Sequence, residues 1–179
     1  MEPVNVLAID TATPYLVLGT ASYERALWRG RRHAETLLGD LEEFLEAAGL
    51  AREEIELVCV GEGPGSYTGL RVGAAAGMGL ARALNVPLVG APTLAAVAAR
   101  RHGRVRAALS ARSGHVYTAL YQVGPAGPAA LGEPVKLETA ALPDDACLLI
   151  DQPPSGIALA RLGAAAFAAG KRGLNTVYL

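Results

Sequence analysis

The chain reads as an α/β protein built around a mixed sheet, and three observations predict it. Residues 4–9, 15–21 and 25–29 form three short apolar runs in antiparallel succession. Apolar runs at 55–60 and 87–89 then alternate with long helical patterns, the signature of parallel strands joined through helices. A shorter set of strands, at 106–110, 116–123, 134–137 and 146–150, closes the order. The spacing predicts a helix over 33–48, whose apolar positions Ala34, Leu37, Leu38, Leu41, Phe44, Leu45 and Ala48 recur in steps of three and four. Glu35, Asp40, Glu42, Glu43 and Glu46 fall opposite that stripe, and Gly49 supplies the stop. A second helix is expected over 69–84, a third over 94–101 capped by Thr93, and an alanine-rich fourth over 157–170. Residues 111–114 and 124–128 read as turns, and 152–156 as a Pro-Pro loop.

Composition bounds the partners. Of 179 residues 51% are hydrophobic and 18% charged, which excludes disorder and leaves apolar surface for a partner to cover. Net charge is −1 with no basic face, so tight direct binding of a nucleic acid is not expected. Cys59 and Cys147 each sit in an apolar run and read as small buried hydrophobes, not as a disulfide framework. No targeting signal and no membrane-length apolar run appears, so a soluble cytoplasmic chain is expected.

The most specific stretch is Gly63-Pro64-Gly65-Ser66-Tyr67-Thr68-Gly69-Leu70-Arg71, between a strand and a small-residue helix. Such a turn can present backbone N–H groups to an anion at a helix start, or simply cap the helix through Ser66 or Thr68. It is not a Walker loop, having no lysine, and Ser66 stands where a dinucleotide fingerprint needs glycine. The histidines His33, His102 and His115 lie at no metal-ligand spacing. His33 reads as a polar residue where the first helix begins. No Gly-x-Ser-x-Gly elbow is present, so no catalytic nucleophile is expected and a peptidase is disfavoured. Gly69, Gly73, Ala76, Gly77 and Leu80 recur every three or four residues along one helix. That stripe fits close approach of a second helix, and equally packing against the chain's own sheet.

The run 63–71 resembles the signature of the TsaB (YeaZ) family, a scaffold subunit of the bacterial tRNA threonylcarbamoyladenosine machinery. Further segments agree in order: residues 7–13, 33–38, 92–94, 111–117 and 176–179. The resemblance implies an actin-like, ribonuclease-H-like (ASKHA) fold with a mixed sheet, a complete first lobe and an abbreviated second. The first lobe, residues 1–103, would carry the glycine loop and interface helices, with the second over 104–179. It implies a non-catalytic partner of a TsaD-like subunit, with a TsaE-like ATPase as third member and a homodimer open to the isolated chain. It also implies pairing through the first two helices, hence an interface of His33, Leu37, Leu41, Gly69, Gly73, Ala76, Gly77 and Leu80. The first hairpin turn then reads as a degenerate phosphate loop, in which Asp10, Thr11 and Thr13 could still offer contacts, with no cofactor and no metal expected. Ser110 stands where an acid is usual in the second phosphate loop, which argues against the alternative reading, an active actin-like kinase or ATPase.

Overall fold

The computed structural model describes residues 4–175, so the 176–179 motif lies outside the described residues. Five strands form the first sheet: β1 (Val6–Asp10), β2 (Tyr15–Gly19), β3 (Glu24–Trp28), β4 (Leu57–Gly61) and β5 (Leu88–Ala91), ordered β3-β2-β1-β4-β5. The first three pair antiparallel, and β4 and β5 add parallel to β1. Alternation splits β1 and β4 between two cores. Leu7, Ile9, Val58 and Val60 pack with Leu37, Leu41, Phe44 and Leu45 of helix α1 (His33–Ala48), and with Val72, Ala76 and Leu80 of α2 (Tyr67–Leu84). Val6, Ala8, Leu57 and Cys59 face the other way, onto Leu159 and Ala160 of α4 (Gly156–Ala168). The first sheet is therefore covered on both faces, as its near-continuous apolar strands require.

The second sheet follows α3 (Thr93–Ala98) and contains β6 (Gly103–Ser110), β7 (His115–Gly124), β8 (Gly127–Ala130), β9 (Val135–Glu138) and β10 (Cys147–Ile150). Its order is β10-β6-β7-β8, with β9 also pairing to β7 and β10 parallel to β6. Leu94 and Val97 of α3 pack on Val105, Ala107, Leu109 and Tyr121. The chain crosses between sheets after α3 and recrosses with α4, which packs on β1, β4 and β5. Gly19 and Gly156 meet backbone to backbone there, leaving no room for a side chain on either.

Several expectations are corrected. Asp40, read as solvent-facing, is buried because the Arg29 guanidinium folds over it, donating at 2.8 and 2.5 Å. Pro92, not Thr93, is the N-cap of α3, and the Thr93 hydroxyl is used elsewhere. Gly127 and Pro128, read as the end of a turn-rich connector, instead begin β8, because the turn between Gly124 and Gly127 folds the chain back along β7. Cys147 is exposed on an edge strand, whereas Cys59 is buried and its Sγ points to the Leu159 carbonyl at 3.4 Å.

Candidate functional site

The glycine loop packs directly against the first hairpin turn. Ser66 N–H donates to the Ala12 carbonyl at 2.7 Å, and the Thr11 hydroxyl donates to the Gly69 carbonyl at 2.7 Å. A β-carbon on Gly65 would fall 2.8 Å from that of Ala12, so glycine there is a matter of contact distance. Ser66 caps α2, its Oγ accepting from Gly69 N–H at 3.2 Å.

Asp10 and Thr11 face inward and are corrected as phosphate contacts. Asp10 is fully buried, with Oδ1 accepting from Ala12 N–H and Oδ2 from the Thr93 hydroxyl, each at 2.7 Å. The same Thr93 oxygen accepts from Gly63 N–H at 3.0 Å, tying β1, the glycine loop and α3 together. Burial pushes the Asp10 carboxyl up to about 6, although Ala12 N–H and Thr93 both pull it down. Thr13 does reach a cleft, while its Oγ1 accepts from Tyr15 N–H at 3.2 Å.

That cleft, about 1000 Å³, opens between the two sheets. One wall holds Thr13, Tyr15, Trp28, Arg31 and His33, with Ser66 and Thr68 at the start of α2. The other holds Ser110, Arg112, Tyr117, Lys136 and Asp151. Tyr15 and Trp28 meet edge to face at 5.1 Å between centroids, and Trp28 stays 64% exposed. Lys136 Nζ lies 5.6 Å from the centre of the Tyr117 ring.

Asp151 is the site residue that sequence reasoning missed. Its two oxygens accept from Ser110 N–H at 2.7 Å and from the Ser110 hydroxyl at 2.6 Å. An acid therefore stands beside Ser110 after all, delivered from the end of β10, forty-one residues away. Asp151 holds a left-handed φ of 52°, a conformation Asp tolerates better than most residues. No local signal couples two positions that far apart in sequence.

The expected interface residues also face inward. Leu37 and Leu41 lie in the first core, and His33 is 5% exposed. A β-carbon on Gly69 would meet the Thr11 carbonyl, one on Gly73 the Thr11 hydroxyl at 2.5 Å, and one on Gly77 the Val60 side chain. Ala76 and Leu80 are half-buried against the same core. The stripe is the seam between α2 and its own sheet, where missing side chains let the helix sit close. The open sides of α1 and α2 instead carry Leu38 (69% exposed), Tyr67 (60%) and Met78 (53%). A β-carbon on Gly39 or Gly79 would meet nothing within 4 Å.

Among the described residues, no three His, Cys, Asp or Glu side chains gather as metal ligands, and no helix is long and apolar enough to cross a membrane. The magnesium-nucleotide site that an actin-like fold implies does not fit these residues. Asp10 is enclosed, and Asp151, the one carboxylate lining the cleft among the described residues, is already engaged by Ser110.

Residues 28–145 match the family model described as TsaD, tRNA N6-adenosine threonylcarbamoyltransferase. Fold and match together place the chain in that family, with the actin-like architecture of two sheets. Within it the relatives are more particular. The chain is 36% identical over 129 residues to the tRNA threonylcarbamoyladenosine biosynthesis protein TsaB of Escherichia coli K12, covering 66% of this chain and 55% of that one. It is 32% identical over 127 residues to the protein of the same name from Bacillus subtilis 168, covering 66% and 56%. The solved structure of YeaZ from Pseudomonas aeruginosa superposes with a TM-score of 0.86 at 27% identity, covering 99% of this chain and 100% of that one. The chain belongs to the TsaB (YeaZ) family. It spans about half the length of these two curated relatives.

Proposed function

We propose that this chain is a non-catalytic subunit in the formation of N6-threonylcarbamoyladenosine on tRNA, docking a TsaD-like catalytic subunit through the open sides of α1 and α2. Family membership supports the pathway. The observation that carries the docking reading is the exposure of Leu38, Tyr67 and Met78 on those two helices, beside the open-space glycines Gly39 and Gly79. Large apolar side chains in water mark a surface that a partner covers. Helix backbones bare of side chains allow that partner close. The enclosure of Asp10 supports the non-catalytic half, because a buried carboxylate cannot hold a metal-bound phosphate in the cleft. The net charge of −1 supports leaving tight tRNA binding to the assembled complex, in which a TsaE-like ATPase is the third member.

The test is co-elution with the host's TsaD-like subunit. Leu38→Glu and Met78→Glu should each abolish it while leaving the melting temperature of the isolated chain within about 2 °C, since surface changes cost little stability. Normal co-elution of both variants would sink the docking surface. Magnesium-dependent ATP turnover by the isolated chain, lost in Asp10→Ala, would sink the non-catalytic reading and revive the kinase.

A further inference from the structure

Glu62 is a buried carboxylate that neither the cleft nor the open helix faces employ. It follows β4 directly, begins the glycine loop, and is only 5% exposed. Its N–H donates to the Ala91 carbonyl at 2.9 Å, and its side chain lies over Gly90, where a β-carbon would collide with the carboxyl group. Among the described residues, the partners of this carboxylate come from the far end of the chain. Lys171 Nζ donates to Oε2 at 2.6 Å and to the Gly90 carbonyl at 2.9 Å, and Asn175 N–H donates to Oε1. Between these anchors Gly173 pairs with Val89 in a single parallel bridge, its N–H donating to the Leu88 carbonyl at 2.8 Å. Leu174 packs on the core that α1 and α2 share. Residues 171–175 thus cross the edge of β5 as a strap.

The strap is built to separate from the body. It is joined by one bridge instead of a ladder, and its residues are half-buried or exposed, the marks of a segment that opens below the stability of the whole. Gly170 and Gly173, at φ of 91° and 77°, supply backbone pivots just before it and within it. What holds it shut is charge. An opened strap leaves Glu62 buried without a counter-ion, which is strongly unfavourable, so the carboxylate must move off Gly90 to reach water. The loop that Glu62 begins has to move with it, and that loop ends in Ser66, the cap of α2. Lysine suits the latch, because its compact ammonium serves a carboxylate and a backbone carbonyl at once. The neighbouring Arg172 instead lies over the Phe167 ring at 3.9 Å.

We propose that residues 171–175 are a clasp, latched by the Glu62–Lys171 pair, whose opening releases the glycine loop and the first turn of α2. The clasp belongs to the isolated chain and does not depend on the docking surface of α1 and α2.

Trypsin reads the clasp directly, because Lys171 and Arg172 are adjacent cleavage points inside the strap. Limited digestion of the isolated full chain, with fragments weighed by mass spectrometry, should cut there at a rate set by how often the strap is open. Glu62→Gln keeps both cleavage points and should speed that cut by about tenfold or more, the usual effect of a lost charge-assisted contact. Cuts elsewhere in the chain should keep their rates. Hydrogen exchange of the same variant should quicken at Gly63, Ser66 and Leu70 as well as at Gly173, while β1 and the second sheet stay protected. Glu42→Gln, which removes an exposed pair with Arg52, is the control and should change neither reading. The unmodified chain supplies a reading that needs no variant: Gly63, Ser66, Leu70 and Gly173 should exchange through one shared opening, more frequent than that of β1. An unchanged cut in Glu62→Gln would overturn the latch. A faster cut with exchange unaltered at Gly63, Ser66 and Leu70 would overturn the coupling to the loop. Cutting that rises equally along the whole chain, or exchange at Gly173 no faster than at β1 in the unmodified chain, would overturn the clasp itself.

Discussion

Asp10 shows how one side chain can look like a site and serve as a joint. The family resemblance implies phosphate contacts for it beside Thr11 and Thr13, but the strand end turns it into the core, where Ala12 N–H and Thr93 hold it. A carboxyl raised from 3.8 to about 6 binds its proton more tightly folded than unfolded. Folding is therefore favoured by this group below about pH 4, and the advantage is lost as pH rises through 6. The shift corresponds to about 3 kcal/mol. Asp10→Asn should thus gain on the parent by up to about 3 kcal/mol between pH 4 and pH 7, read from urea unfolding at both values. A constant difference would mean that Asp10 ionises as it would in water. Asp151 was invisible for the opposite reason. Ser110 and the acid that grips it meet only because β10 pairs parallel with β6, and that pairing leaves no mark in either local pattern.

At the scale of elements, periodicity found the helices and left one of their faces open between a partner and the chain's own sheet. Steps of three and four located α1, and α2 to within two residues at its start, because the periodic pattern and the stop at Gly49 are local facts. Which surface a stripe meets is not local. Gly69, Gly73 and Gly77 share a face, as the spacing says, but that face rests on Thr11 and Val60. Gly127-Pro128-Ala129-Ala130 lacks strand-forming residues altogether, and β8 exists because a hairpin lays it on β7. Two glycines on α2 provide the test. Gly77→Leu should destabilise by about 1–3 kcal/mol or more, because its β-carbon already collides with Val60. Gly79→Ala meets open space and should stabilise by about 0.5–1 kcal/mol, helix propensity alone. Thermal melts of both settle which side of α2 is bare; equal destabilisation would contradict the orientation described.

Over the whole molecule, one carboxylate ties the first sheet to both stretches of chain that cross between the sheets. Glu24 of β3 accepts from Ser155 Oγ at 2.7 Å, from Ile157 N–H at 3.0 Å and from Arg100 at 3.1 Å. Arg100, just past α3, also donates to the carbonyls of Pro153 and Pro154, where the chain returns from β10 to α4. Burial alone would raise the Glu24 carboxyl, but Ile157 N–H, Ser155 and Arg100 together outweigh it and hold it below the usual range. Its contribution is present above that range and falls away on acidification. Glu24→Gln should cost about 1–3 kcal/mol near neutral pH, and a double-mutant cycle with Arg100→Ala should give a coupling of about 0.5–3 kcal/mol. Strict additivity in chemical unfolding would show that the two do not act as one joint. The contrast between the two thiols has its own use. Cys59 is sealed beneath α4, where burial raises its pKa and keeps the sulfur protonated, while Cys147 lies open on the rim of the second sheet. A maleimide dye should therefore attach at a single known address, and energy transfer to it from Trp28 becomes a ruler laid across the opening between the sheets.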